Sequence, residues 1–285
     1  MKKRKNYEEL TFADNFMFCK ILSTNKELCK QVIELLLGIK VKDISFPESE
    51  KVIEIVDNSR GIRLDVYADD QDGTVYDLEM QTGELENLPK RSRYYQSLID
   101  LGVMERGSDF SDLNNSYVIF ICLDDPFDQN LPKYTFENRC FENSSLKLND
   151  GAVKVFVNAK GACEDADEEL KEFLNFLLNR GIPKEGSVAS KIAKAVEEAR
   201  AHKRWREEYK SMINVLDFER REARREGLEE GRAEGRELGL EEGRTEGRAE
   251  EATLVYRRCI ERGMSEEDAV AISGVSRDVI DSILI

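Results

Sequence analysis

Two short β-type runs joined by a tight, Asp- and Gly-rich turn constrain this chain more than any other feature. Arg63-Leu64-Asp65-Val66-Tyr67-Ala68 leads through Asp69-Asp70-Gln71-Asp72-Gly73 to Tyr76-Asp77-Leu78-Glu79-Met80-Gln81. Asp and Gly supply turn conformations, so the segment reads as a hairpin. Alternation puts Leu64, Val66 and Ala68 on one face and Arg63, Asp65 and Tyr67 on the other, while Glu79 and Gln81 share a face of the second strand. An acid on one strand therefore lies across from an acid and an amide on its neighbour. Such an array suits a hard cation such as Mg²⁺, for which one or two carboxylates suffice. Solvated hairpin acids are the plain alternative.

The flanking periodicities predict an α/β arrangement. An apolar stripe at helical spacing runs over about 14–37 and stops at Gly38. Strands are expected at 52–56, 62–68 and 75–81, followed by a helix over about 88–104. Tyr117-Val118-Ile119-Phe120-Ile121-Cys122-Leu123 is an unbroken apolar run, as a central strand buried on both faces requires. Further strands are expected at 134–141 and 153–157, and an amphipathic helix at 168–178.

The run from Asp65 through Gly73 to Glu79-Met80-Gln81, followed by Lys90-Arg91-Ser92-Arg93-Tyr94-Tyr95-Gln96, resembles the Rpn family of recombination-promoting nucleases, also called putative transposases. That family belongs to the PD-(D/E)XK nuclease superfamily. The likeness begins near Leu10, in Leu10-Thr11-Phe12-Ala13-Asp14-Asn15-Phe16-Met17-Phe18, continues to about Gly181, and returns in the Glu-Gly-Arg repeats of the tail. It implies a restriction-endonuclease-like core, a mixed central sheet flanked by helices, and a Mg²⁺- or Mn²⁺-dependent DNA endonuclease. Asp65 and Glu79 would be the metal ligands, with the backbone carbonyl of Met80 completing the set. Gln81 stands where the superfamily usually carries lysine; an amide hydrogen-bonds water and phosphate but brings no charge. Lys90, Arg91, Arg93 and Gln96 would meet phosphate, although a solvated helix start accounts equally for the three cations. Asp14 is either an additional acid near the metal or the N-cap of the first helix. A catalytically weak or inactive descendant that serves as a binding or assembly module stays open as the alternative. A DDE-type transposase is disfavoured, because no third acid at suitable spacing follows Glu79.

Composition narrows the partners. The 285 residues are 40% hydrophobic and 35% charged, with a net charge of −15. That balance argues against a nucleic-acid coating protein, which should be basic, yet leaves room for an acidic nuclease whose cations gather at its cleft. Six scattered cysteines without a Cys-x-x-Cys pair and a single histidine, His202, make structural zinc an unsuitable reading. The basic start runs into Asn6-Tyr7-Glu8-Glu9 without an apolar leader, and no segment approaches a membrane span, so a cytoplasmic protein is expected.

Composition changes near residue 184, which suggests three parts: a nuclease-like domain at 1–183, a charged helical segment at 184–252 and a small module at 253–285. In the middle part Gly227, Gly231, Gly235, Gly239, Gly243 and Gly247 recur every fourth residue. Each glycine costs roughly 1 kcal/mol against alanine in a helix. A period of four advances the stripe by about 40° per repeat, in the right-handed sense. Close-packed homo-oligomerisation through this helix and a flexible charged spacer are the two readings. The terminal part regains apolar periodicity, with a capping box at Ser265 and a second capped helix from about Ser276, a helix-turn-helix pattern. Its second helix begins Arg277-Asp278 with one cation, which favours protein contact or dimerisation over DNA reading.

Overall fold

A computed structural model describes residues 5–53, 62–83, 85–104, 107, 109–161 and 166–275. The elements in chain order are α1 (Asn15–Thr24), α2 (Lys26–Leu37), β1 (Glu48–Ile53), β2 (Ile62–Asp69), β3 (Val75–Gln81) and α3 (Leu88–Val103). They continue with β4 (Ser116–Cys122), β5 (Lys133–Phe136), β6 (Ala152–Asn158), α4 (Glu168–Leu177), α5 (Val188–Ala201), α6 (Lys203–Glu261) and α7 (Glu266–Ser273). Among the described residues, six strands form one sheet in the order β1-β2-β3-β4-β6-β5. β1, β2 and β3 pair antiparallel, β3 with β4 and β4 with β6 pair parallel, and β5 closes the far edge antiparallel to β6. This is the mixed sheet with flanking helices that the sequence resemblance implies.

The hairpin forms as expected: Asp70 caps its own turn, its carboxylate accepting from the amides of Asp72 and Thr74, and Gly73 takes φ +79°. β3 and β4 are the buried centre, with Val118, Ile119, Phe120, Ile121 and Cys122 all sealed from solvent. Leu88, Leu98 and Ile99 of α3 pack with Val118, Phe120 and Phe156 of the sheet. Phe120 and Phe156 stack at 5.5 Å, directly opposite one another in the β4–β6 register. The predicted helix over 14–37 is two helices. Asn25 interrupts it at φ −129° and caps α2 by accepting from the Leu28 amide at 3.0 Å, the local competition with the helix ladder that short polar side chains offer. β5 is shorter than the strand predicted at 134–141, and residues 54–56 of the first predicted strand lie outside the described residues.

The chain divides into two compact units, 1–210 and 211–285. α5, which the composition change assigns to the tail, belongs to the first unit. Its Ile192, Val196 and Ala199 are buried, and the carbonyl of Ala199 accepts from the Tyr7 hydroxyl at 2.7 Å. Arg200 donates through two nitrogens to the Leu10 carbonyl. In the second unit, the stretch of α6 carrying the glycine stripe is exposed, and a Cβ added at any of the six glycines would meet open space. Tyr256, Cys259, Ala269 and Val275 form a small core there, with Ser265 capping α7 by accepting from the Asp268 amide. The second capped helix expected from Ser276 lies outside the described residues. Among the described residues no helix is long and apolar enough to cross a membrane.

Candidate active site

The β2–β3 ladder runs from Asp69↔Val75 to Val66↔Leu78 and goes no further. Past that point the two carboxylates take over the work of the ladder. Asp65 donates its backbone N–H to Glu79 Oε1 at 2.9 Å, and Met80 donates its own to Asp65 Oδ2 at 3.1 Å. Buried backbone amides must find acceptors, and here each strand's amide is satisfied by the other strand's acid. This exchange holds Asp65 and Glu79 together, 7% and 4% exposed. Met80 thus enters the site through its N–H.

Gln81, at the end of β3, accepts from Arg91 Nη1 at 3.0 Å. The other guanidinium nitrogen of Arg91 lies 3.9 Å from Glu79 Oε2 and donates to the Tyr95 hydroxyl at 3.2 Å. The guanidinium also lies 5.4 Å from the Phe120 ring centroid, a cation–π contact. Arg91 is therefore fixed over the carboxylates from the first turns of α3, a helix opened by Pro89 near its start and by Asn87 in the left-handed region. Lys90 and Arg93 are exposed on the same helix. Gln96 is elsewhere: it is buried, and its amide donates to the Ser116 hydroxyl on β4. The expectation that it meets phosphate is corrected accordingly, because one turn beyond Ser92 this face of α3 packs on the sheet. The carboxylate of Asp14 accepts from the Thr11 amide at 2.7 Å and pairs with Lys5 at 2.7 Å. The next residue, Asn15, is the one that reaches the site, donating to Asp65 Oδ1 at 2.7 Å.

A third acid was missed. Asp77 is completely buried, and neither of its carboxylate oxygens has a donor. Burial first, then the neighbouring Glu79 and Asp65 charges, push its proton affinity well above the ordinary carboxylate range. Glu79 is pushed up to about 8, by burial first and then by the Asp65 charge. Asp65 is also raised by burial, although the Met80 amide, Asn15, Arg63 and Arg91 oppose the shift. Alternation alone places Asp77 beside Glu79, so the signal was present in the hairpin. Asn15 had no such signal, since its contact spans two elements 50 residues apart.

The model of the PD-(D/E)XK nuclease family transposases matches residues 12–221. The chain belongs to that family. The match covers α1 through α5 and the whole sheet, so the family's nuclease core is the six-stranded fold described above. Neither a curated protein nor a solved structure matches the chain. Membership makes this a nuclease-type domain.

Proposed function

We propose that the protein is a divalent-cation-dependent DNA endonuclease that hydrolyses phosphodiester bonds in recombination or mobile-element movement. The observation that carries this reading is the cross-strand exchange that buries Asp65 and Glu79 side by side beneath Arg91. The donor set fits a hard cation: two buried carboxylates, Asp65 and Glu79, each held by a backbone amide of the other's strand. Among the described residues no group of three His, Cys, Asp or Glu side chains is gathered to hold a metal ion. Mg²⁺ or Mn²⁺ accords with that count, since such ions keep several waters and take one or two carboxylates plus substrate phosphate. The raised proton affinities of Glu79 and Asp77 are what crowded, uncompensated acids show, and a cation relieves that crowding.

When bound, a divalent cation supplies Lewis acidity to the scissile phosphate and acidifies an attacking water. The chain's own groups do the rest. Asp65 and Glu79 provide the anchoring oxygens. Arg91 places a positive charge at the edge of the site, where negative charge develops on the phosphate, and so takes up the part the lysine usually plays. Gln81 holds that guanidinium through its carbonyl oxygen. Lys90 and Arg93, exposed along α3, give the backbone of DNA a local positive field despite the net charge of −15. A cytoplasmic site of action goes with this reading, as does self-association of the glycine-repeat helix.

Plasmid nicking by the purified protein with Mg²⁺, Mn²⁺ or EDTA, run beside Asp65→Ala, tests the proposal. Cation-dependent nicking that Asp65→Ala lacks supports it; nicking unaffected by EDTA or by the substitution overturns it. Gln81 in the lysine position favours the second reading, a weak or inactive nuclease fold that acts as a binding or assembly module. Full-length protein that shows no nicking with either ion would favour that reading.

A further inference from the structure

We propose that Asn15 is the positioning residue for Asp65, fixing the carboxylate in the orientation that takes the cation; the inference rests on the divalent-cation reading above. Asn15 is the first residue of α1, and its side chain is exposed at the rim of a buried acid. Asparagine is a poor choice for this place on local grounds. It favours the cap position over the helix interior, and Asp14 already occupies the cap. An exposed side chain contributes little packing. What Asn15 contributes to the acid is a short hydrogen bond, from Nδ2 to Asp65 Oδ1 at 2.7 Å. The amide has one workable orientation, because its carbonyl oxygen at that distance from a carboxylate oxygen would be repelled.

Asp65 is then gripped from two elements. Oδ1 is held by Asn15 of α1 and Oδ2 by the Met80 amide of β3. Two donors on opposite oxygens define the plane of the carboxylate and leave a further lone pair on each oxygen. One turn along α1, the Cys19 thiol lies 3.1 Å from Asn15 Oδ1 and 3.3 Å from the Asp65 carbonyl oxygen, where it can donate to either. The same helix thus supports both the side chain and the backbone of Asp65. The strand needs that support. The β1–β2 register pairs Ser49 with Val66 and Lys51 with Leu64 but omits Asp65, and Glu50, the residue alongside, is in the left-handed region at φ +56°. With the ladder interrupted on both sides of Asp65, an outside donor decides which way its carboxylate faces. Groups that orient ligands in this manner change metal affinity roughly 10–100-fold when removed.

The test is Mn²⁺ binding to the full chain by titration calorimetry, without DNA, for wild type, Asn15→Ala, Asn15→Ser and Asp65→Ala. The expected result is that both Asn15 variants bind about 10-fold more weakly, keep the wild-type melting temperature within about 3 °C, and recover cleavage at raised Mg²⁺. Asp65→Ala should bind no ion at this site. If both Asn15 variants bound Mn²⁺ within twofold of wild type while Asp65→Ala did not, the positioning role would be lost and the cation site kept. Wild-type protein that bound no Mn²⁺ would overturn the cation reading and this inference with it.

Discussion

At the scale of single residues, the site is a set of acids whose charges are not balanced by the protein. Glu79 and Asp77 sit on one face of β3, and Asp65 faces them from β2. The sign of the resulting pH dependence follows from linkage. Glu79 has a folded pKa of about 8 against an ordinary 4.5, so between those values the native state holds a proton that the unfolded chain releases. Stability is therefore fully present below about pH 4.5 and is lost as pH rises through about 8. Without divalent cation, wild type should melt lower at pH 8.5 than at pH 6, and Mg²⁺ should stabilise more at the higher pH. Glu79→Gln should flatten that difference, and Asp77→Asn should raise the melting temperature at pH 8.5 by removing a buried acid without a donor. A scanning-fluorimetry series reads all three; equal slopes in wild type and Glu79→Gln would exclude the assignment. The Arg91–Gln81 pair makes a second residue-scale prediction. Arg91→Ala should lower kcat by about 10²-fold or more, as losing one donor aimed at developing charge does elsewhere. Adding Gln81→Lys to that variant should restore part of the loss by returning a cation from β3, and plasmid-nicking rates decide whether it does. A double variant no faster than Arg91→Ala would separate Gln81 from the chemistry.

At the scale of elements, what could be read from the sequence was what depends on short range. The alternation of the hairpin placed Asp65, Glu79 and Gln81 on a common face without any knowledge of the helices, because successive strand side chains point to opposite faces with a fixed period of two. The apolar run at Tyr117 identified the central strand because a strand buried on both faces reads as an unbroken apolar run. Contacts between elements were not legible. Nothing in the spacing of Asn15, Arg91 or Gln96 says which reaches the acids and which is buried; that is settled by how α1 and α3 lie on the sheet. Arg91 meets Gln81, whereas Gln96, five residues on, is sealed against Ser116. The helix break at Asn25 was hidden because apolar periodicity continues through it in α2. α3 itself carries a prediction about DNA. Lys90 and Arg93 are exposed and Arg91 is committed to the site, so Lys90→Ala and Arg93→Ala should weaken binding to any DNA sequence alike. Each phosphate contact removed should reduce the slope of log affinity against log salt by about 1. Fluorescence anisotropy of labelled duplexes across a salt series measures it; an unchanged slope would take α3 out of the interface.

At the scale of the whole chain, the boundary between core and tail is set by packing, where composition had suggested an earlier one. The change of composition near residue 184 marks where the helices become charged, yet α5 buries Ile192, Val196 and Ala199, and the Tyr209 hydroxyl donates to the Lys5 carbonyl at 3.0 Å. A chain cut after residue 183 should therefore be strongly destabilised, since it exposes the surface that α5 covers and leaves the Tyr7 hydroxyl without its Ala199 acceptor. A chain cut after Lys210 retains the compact unit and should fold and bind divalent cation. The remaining tail presents the opposite problem. Six glycines on an exposed helix forgo roughly 6 kcal/mol of helix propensity relative to alanine, and nothing within the described chain packs on them in return. A second copy approaching closely along that stripe would return the loss through contacts that a bulky side chain would block. Light scattering should then show full-length protein as a dimer or higher, and the chain ending at Lys210 as a monomer. Replacing Gly231, Gly235 and Gly239 with leucine should dissociate the full-length assembly, whereas alanine at the same places should preserve it and raise helicity. Full-length protein that is monomeric at tens of micromolar would instead make the repeat a charged spacer, and the leucine and alanine variants would then behave alike.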